Sequence, residues 1–415
     1  WFAVAGCGGP PILPVEAALE EVCPNWAPRV TPGPIDKDLH KVTLTDASSV
    51  CNDGSPPVLY VRPASDPDHR DDWVLFLQGG NHCEDYQTCA ARWCGTGYYE
   101  ATRMSTRWTQ PTIAGAGIAS TDPRSPFAGW NQVTFYYCSS DKWSGTNSQV
   151  VLDGPHPFRL EFQGSRILDD GLAALSGDGL ASDDGVVSLG GLDRAKTGVF
   201  AGSSAGGQGA AINLDRVAGM LPNAEVLGIP DALFDPDEAT LTAADAAAVR
   251  ATADASHDLQ LRTWWPVLDA SCVEANGIAS SACDDLVNVM RNFTETPVLT
   301  HHDAFDPTYF GSPFSAVITF EEYAQSAVDT YGAWRADGDP GSAFLTACNG
   351  HEFLTQDDRF LDVSTIDAAT GAGPVTFGEL AAAFVGGERG RFVLDDAQGS
   401  GSTCPTEPDV QTENQ

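Results

Sequence analysis

The most constraining stretch of this 415-residue chain runs from Lys196 to Asp215. Val199, Phe200 and Ala201 form a short apolar run that reads as a buried strand. Gly202-Ser-Ser-Ala-Gly206 follows at once, and residues 209–217 are helix-compatible. Strand, glycine-flanked turn and helix together make the setting of a G-x-S-x-G nucleophile elbow. Such a turn holds its central serine in a strained conformation, so the flanking side chains must be tiny; Gly202, Ala205 and Gly206 meet that demand. The alternative is a glycine-rich loop that only turns the chain or cradles phosphate, and the strand-turn-helix setting favours the elbow. Ser204 is therefore the expected nucleophile. Strands and helices alternating around such a turn imply an α/β-hydrolase-like fold: a doubly wound, mostly parallel sheet with helical lid insertions.

Composition narrows the partners. Fifty-seven acidic residues against 22 basic ones give a formal charge of −35, and only four of the basic residues are lysines. Such a surface repels nucleic acid and anionic membranes. It suits a saline setting, in which mutual repulsion is screened within about 10 Å, and equally serves generic solubility. Eleven cysteines without C-x-x-C pairs fit disulfides better than zinc, and so an oxidising compartment, secreted or periplasmic. No run of 18 apolar residues spans a bilayer. Opening at Trp1, the chain is expected to have lost a leader. No metal and no organic cofactor is called for, and a monomer is expected.

Residues 1–40, rich in proline and glycine, read as an irregular arm pinned by a Cys7–Cys23 disulfide. Residues 41–404 read as one catalytic domain, and 405–415 as a disordered tail. Strands are expected near 41–44, 58–61, 73–77, 133–137, 225–229 and 298–302, with helices near 162–180 and 320–335. Residues 66–72 are an acidic surface turn rather than a calcium loop, and residues 182–192 a polar surface insertion. Residues 235–295, mainly helical, read as a lid; within them Trp264 and Trp265 either line an apolar pocket or pack as core. Beyond Asp362 the chain is small and polar apart from one apolar run near Leu380. The strand at 73–77 runs straight into Gln78-Gly-Gly-Asn-His82. A glycine-rich turn there, upstream of the elbow, is where this fold builds the other half of an oxyanion hole. Gly80 and Asn81 are the expected amide donors, joined by Ala205, while His82 and Trp143 are expected to meet substrate. Spacing suggests that Cys83 and Cys89 close a small loop and that Cys272 and Cys283 pair within the lid.

In this architecture the catalytic order is serine, acid, histidine. Of the histidines after Ser204, His301 and His302 lie inside a strand and His257 precedes the acid strand. His351, on a glycine-preceded loop, remains as the base, with Asp306, Asp303 or Asp231 to orient it.

Several blocks now add up. Ala201-Gly-Ser-Ser-Ala-Gly-Gly, continuing through residues 213–218, closely resembles the elbow of the pectin acetylesterase/Notum family. So do Cys51-Asn-Asp-Gly-Ser, Phe76-Leu-Gln-Gly-Gly, Tyr137-Cys-Ser-Ser-Asp-Lys-Trp-Ser-Gly145, Pro297-Val and Ala347-Cys-Asn-Gly-His-Glu352, in the same order. The resemblance covers about residues 41–355 and is closer to the Notum branch than to plant enzymes, which carry Gly-Cys-Ser-Ala-Gly-Gly. It implies Ser204 as nucleophile, Asp306 as acid and His351 as base. It also implies disulfides Cys51–Cys138, Cys83–Cys89, Cys272–Cys283 and Cys348–Cys404, which leaves Cys94 as a free thiol. The implied activity is carboxylester hydrolysis without a cofactor, removing acetyl from pectin-like polysaccharide or a fatty acyl group from protein. Where the family has aromatic residues after the glycines, this chain has Asn81 and His82.

Overall fold

The run Asp72–Leu77 reads DWVLFL, without polar alternation, as a strand covered on both faces must. The structure, a computed structural model, describes residues 21–23, 38–96, 101–177, 179–338, 340–396 and 401–404. Its centre is a ten-stranded sheet of β1 (Leu39–Thr43), β2 (Val58–Arg62), β3 (Asp72–Leu77), β4 (Thr112–Ile113), β5 (Asn131–Phe135), β6 (Thr197–Ser203), β7 (Glu225–Asp231), β8 (Leu299–Asp303), β9 (Ser342–Thr346) and β10 (Phe392–Leu394). The helices that position the site are α1 (Tyr86–Trp93), α2 (Gly164–Ser176), α3 (Ala205–Met220), α4 (Ala243–Thr263), α5 (Phe320–Ala336) and α6 (Phe377–Val385).

Across the sheet the order is β10-β9-β8-β7-β6-β3-β5-β2-β1-β4. Strands β3 and β5 to β10 run parallel, while β2, β1 and β4 extend the sheet as antiparallel neighbours. The chain leaves β3 to build on the β5 side and resumes at β6 on the other side. Ligand crevices form at such a reversal, outside the carboxyl ends of the strands. Register fixes what meets there: Gly202 lies opposite Leu77, and Ser203 opposite Asp231.

Two cores sandwich the sheet. Val199 and Ala201 of β6 face a cluster with Phe353, Phe360, Phe377 and Phe384, whereas Phe200 faces Ala210, Leu214 and Val217 of α3. The period-two alternation of a strand thus sends neighbours to opposite layers. Each such large apolar side chain contributes about 1.5–3 kcal/mol by leaving water.

Several expectations needed correction. The helix expected from residue 162 starts at Gly164, because Phe158–Phe162 is a strand paired with Asn147–Leu152. Its sequence FRLEF alternates buried and exposed, the pattern of a half-covered strand. Beyond Asp362 the apolar run near Leu380 is the helix α6, which buries Phe377, Leu380, Ala381 and Phe384, and an unexpected β10 adds an edge strand to β9. Residues 182–192 include the short strand Ser188–Leu189, which pairs with Leu180–Ala181, and Asp183 there accepts from the Thr43 backbone at 2.8 Å. Trp264 and Trp265 part company: Trp264 is fully buried and donates to the Cys83 carbonyl at 2.8 Å, while Trp265 is 70% exposed. Among the described residues no helix is long and apolar enough to cross a membrane.

Among the described residues five disulfides are formed. Cys51–Cys138, Cys83–Cys89, Cys272–Cys283 and Cys348–Cys404 join as the resemblance implies. The fifth overturns two expectations, since Cys23 pairs with Cys94 across a Cα separation of 5.5 Å. Cys94 is therefore no free thiol, and Cys23 is not the partner of Cys7, which lies outside the described residues. The pair sits beside Trp93, Leu152 and Phe158, an apolar cluster that brings the two cysteines together. Of the expected arm only residues 21–23 and 38–40 are described, and the expected tail at 405–415 lies outside.

Candidate active site

Ser204 follows the last residue of β6 and precedes the first of α3. It holds φ 56° and ψ −125°, a region costly for any residue with a side chain. The turn is so tight that a Cβ at Gly202 would strike the Gly206 carbonyl, and one at Gly206 the Leu77 carbonyl. The Ser204 N–H donates to the Asp231 carbonyl at 2.9 Å, which ties the elbow to β7. The serine is partly exposed and stands at the amino end of a 16-residue helix, where the dipole favours negative charge.

Beside it, β3 ends in the Gln78–His82 turn. Gly79 must be glycine, since a Cβ there would lie 2.5 Å from the Ser203 carbonyl oxygen and 2.9 Å from Ser204 Cβ. Gly80 at φ 131° and Asn81 at φ 63° continue in unusual backbone. Partners lock the turn from outside. The buried Arg92 donates to the Gly80 carbonyl and, at 2.8 Å, to Ser140 Oγ. Trp143 Nε1 donates to the Gln78 carbonyl at 3.0 Å. In a trans peptide the N–H opposes the C=O, so the Asn81 N–H is turned away from Arg92. The His82 N–H is taken by Asn81 Oδ1 at 2.7 Å and the Cys83 N–H by the Ser140 carbonyl at 3.1 Å. Among the described residues, the N–H groups of Gly80, Asn81 and Ala205 donate to no protein acceptor. Unengaged amides at the mouth of a helix are suited to an oxyanion.

The candidate acid and base come from farther along the sheet. Asp306, buried just beyond β8, accepts from Thr308 N at 2.8 Å and Thr308 Oγ1 at 2.7 Å through one oxygen. Its other oxygen meets His351 Nδ1 at 2.6 Å. Burial alone would raise its pKa, but the charge and hydrogen bond of His351 outweigh burial and hold it below the usual carboxylate range. An ionised carboxylate on Nδ1 fixes the tautomer and leaves Nε2 for proton transfer. The His351 side chain retains 19% exposure.

The rival candidates are engaged elsewhere. Asp303 bonds Thr346 Oγ1 and Arg359, and burial raises it to about 6. His257 pairs with Asp284 at 2.6 Å. His302 meets the Tyr323 hydroxyl at 3.3 Å, and burial lowers it to about 3, so it stays neutral. Asp231 pairs with His301 at 2.6 Å.

A family model described as pectinacetylesterase matches residues 35–249. That match spans more than half the chain and takes in the elbow and the Gly79–Gly80 turn. The chain belongs to the pectinacetylesterase family. Its curated relatives include human palmitoleoyl-protein carboxylesterase NOTUM, 35% identical over 200 residues, covering 47% of this chain and 34% of that protein. Xenopus laevis notum1', another palmitoleoyl-protein carboxylesterase, is 34% identical over 206 residues, covering 48% and 37%. The match thus spans about a third of the length of these relatives. Among solved structures, the Drosophila Wnt deacylase Notum superposes with a TM-score of 0.65 at 24% identity, covering 86% of this chain and 96% of that one. A second crystal form gives 0.58 at 26% identity, covering 78% and 88%. The α/β-hydrolase-like fold is shared.

Within this pectinacetylesterase-family chain, two residues play parts that their sequence context did not suggest. Trp143, expected to meet substrate, is fully buried; it packs against Gly209 of α3 and braces the Gln78 turn from below. Its backbone takes φ 60°, a torsion that the sequence did not announce. Asp231, considered as the catalytic acid, instead accepts at Oδ2 from Ser203 Oγ at 2.7 Å, Phe353 N at 2.9 Å and Leu354 N at 3.0 Å. It thereby staples the loop that carries His351 to the strand that carries Ser204. His82 is partly exposed, edge-on to Trp264 at 5.5 Å and bonded to Glu84 at 3.0 Å. Arg92 gave no signal in the sequence, being one arginine on a short helix. Among the described residues no group of three or more His, Cys, Asp or Glu side chains is arranged to hold a metal.

Proposed function

We propose that this chain is a serine carboxylesterase, exported to an oxidising compartment, with residues 41–404 as one catalytic domain. The observation that carries the reading is the pairing of buried Asp306 with His351, whose loop Asp231 staples to the strained serine elbow. His351 takes the Ser204 proton as Oγ attacks the ester carbonyl. Asp306 stabilises the imidazolium, and the amides of Gly80, Asn81 and Ala205 hold the tetrahedral oxyanion, each worth about 3 kcal/mol. The alcohol leaves with the proton from His351, and water then releases the acyl group from Ser204. Residues of this kind complete the reaction by themselves.

The substrate we favour is a short acyl ester, acetyl above all, on a polysaccharide such as pectin, as the family's description suggests. A fatty-acyl deacylase is the second reading, favoured by the names of the palmitoleoyl-protein carboxylesterase relatives. An acyl-chain series on the purified protein separates them. Highest kcat/KM from acetyl to butyryl supports the first; a clear preference for eight carbons or more replaces it with the second.

A further inference from the structure

Three lysines fall within the described residues, and one stands apart. Lys41 and Lys196 pair with Asp183 and Asp71 at 3.4 and 2.7 Å. Lys142 makes no ion pair among the described residues; its ammonium lies 6.0 Å from the centre of the Trp264 ring. The loop that bears it is wedged between the oxyanion turn and the nucleophile helix. Ser140 accepts from Cys83 N, Trp143 reaches Gln78, and Asn213 of α3 donates to the Trp143 carbonyl at 3.2 Å. Lys142 itself takes φ 54°, and its N–H donates to the Tyr137 hydroxyl at 2.8 Å. That anchored backbone sends the side chain to the ring that His82 also touches. The ammonium thus stands where the oxyanion turn meets the end of α4.

An ammonium partly withdrawn from water gains from an anionic partner. Glu84, whose carboxylate feels the same ammonium, already bonds His82, Ser256 and Gln260 at 3.0, 2.7 and 2.9 Å. Asp235, in the loop after β7, shares the field of the same ammonium. Two arginines add to the local positive charge: Arg92 beneath Gly80, and Arg103, whose stem lies 3.1 Å from where a Gly80 Cβ would be. Three basic side chains of a chain of net charge −35 thus stand around one turn, among the carboxylates of Glu84, Asp235 and Glu352.

We propose that Lys142 is a specificity residue that binds the carboxylate of an acidic sugar unit neighbouring the acylated one. The proposal rests on the esterase reading above and narrows its substrate to uronate-containing polymers. It also explains how a strongly negative protein holds a polyanion: local charge at the cleft acts where the net field is screened. A long apolar acyl chain would instead have to dehydrate this ammonium.

The test uses two polymers with one backbone: acetylated polygalacturonate, and the same polymer with its carboxylates fully methyl-esterified. Each preparation is assayed on both, so the ratio of the two kcat/KM values is insensitive to partial misfolding. Lys142→Asn suits the left-handed backbone. It should lower the acidic-to-esterified ratio about tenfold, mainly through KM, and Lys142→Arg should restore it. An unchanged ratio in Lys142→Asn overturns the proposal, as does a fall that Lys142→Arg fails to restore. Wild-type protein inactive on an aryl acetate as well as on both polymers would bring down the esterase reading, and this proposal with it.

Discussion

At the scale of single residues, the assignments separate by how each side chain would fail. Ser204→Ala should abolish turnover, by about 10⁶-fold, with Tm unchanged, because the elbow accepts a smaller side chain. Asp306→Asn should cost about 10⁴-fold by holding His351 in the wrong tautomer. Asp231→Asn and Asp303→Asn should cost far less in kcat and more in Tm, since both carboxylates are fully buried and bonded away from His351. A steady-state series on an aryl acetate with parallel melting curves reads both columns. If either of those variants lost more turnover than Asp306→Asn, the acid would be misassigned. Ser204 was legible because sterics leave few ways to build such a turn. Asp306 was not separable from Asp303 by spacing; only the family block chose between them. Trp143 and Arg92 were illegible in their roles, because support from below depends on backbone torsion and long-range contact.

At the scale of elements, the parallel strands announced themselves through apolar runs, and the elbow through its glycines. The last strand, β10, is three residues long and pairs only at an edge, so its signal was too short to read. The Phe158–Phe162 strand did carry alternation, but it abuts a helix and was absorbed into it. The Cys23–Cys94 link joins segments 71 residues apart, a pairing that spacing cannot specify. Disulfides also order the stability of the elements. Cys51–Cys138 closes the longest separation of the five, 87 residues, and ties the segment before β2 to the loop of Trp143. Replacing both cysteines by serine should lose about 4 kcal/mol in the chain-entropy picture. Urea unfolding of that variant beside one lacking Cys83–Cys89, with a separation of 6, checks the ranking. Equal losses would mean that loop length does not govern them.

For the whole molecule, charge sets the response to pH and salt. Asp141 and Asp303 are fully buried, and burial raises each to about 6. Their folded pKa lies above the unfolded one, so the folded state binds protons more tightly between the ordinary carboxylate range and about 6. Their contribution is therefore present at low pH and lost as pH rises through about 6. Repulsion among the acidic residues grows over the same interval. Asp235 and Asp285, raised by burial to about 6 and about 7, add to the fall, and together these carboxylates outweigh His302, whose lowered pKa favours folding as pH rises. Tm should fall from pH 5 to pH 7.5, and added salt should recover the part due to repulsion; a Tm that rises over this interval would refute the account. The division of labour along the sheet has one more consequence. The proposed nucleophile and amide cradle follow strands that end before residue 232, while the proposed acid and base arrive on loops after β8 and β9. A gene product that carried a counterpart of only the first half of this chain would thus own a place to hold a carbonyl and nothing to move a proton. In surveys of genomes, turnover in such chains has to be read from the second half.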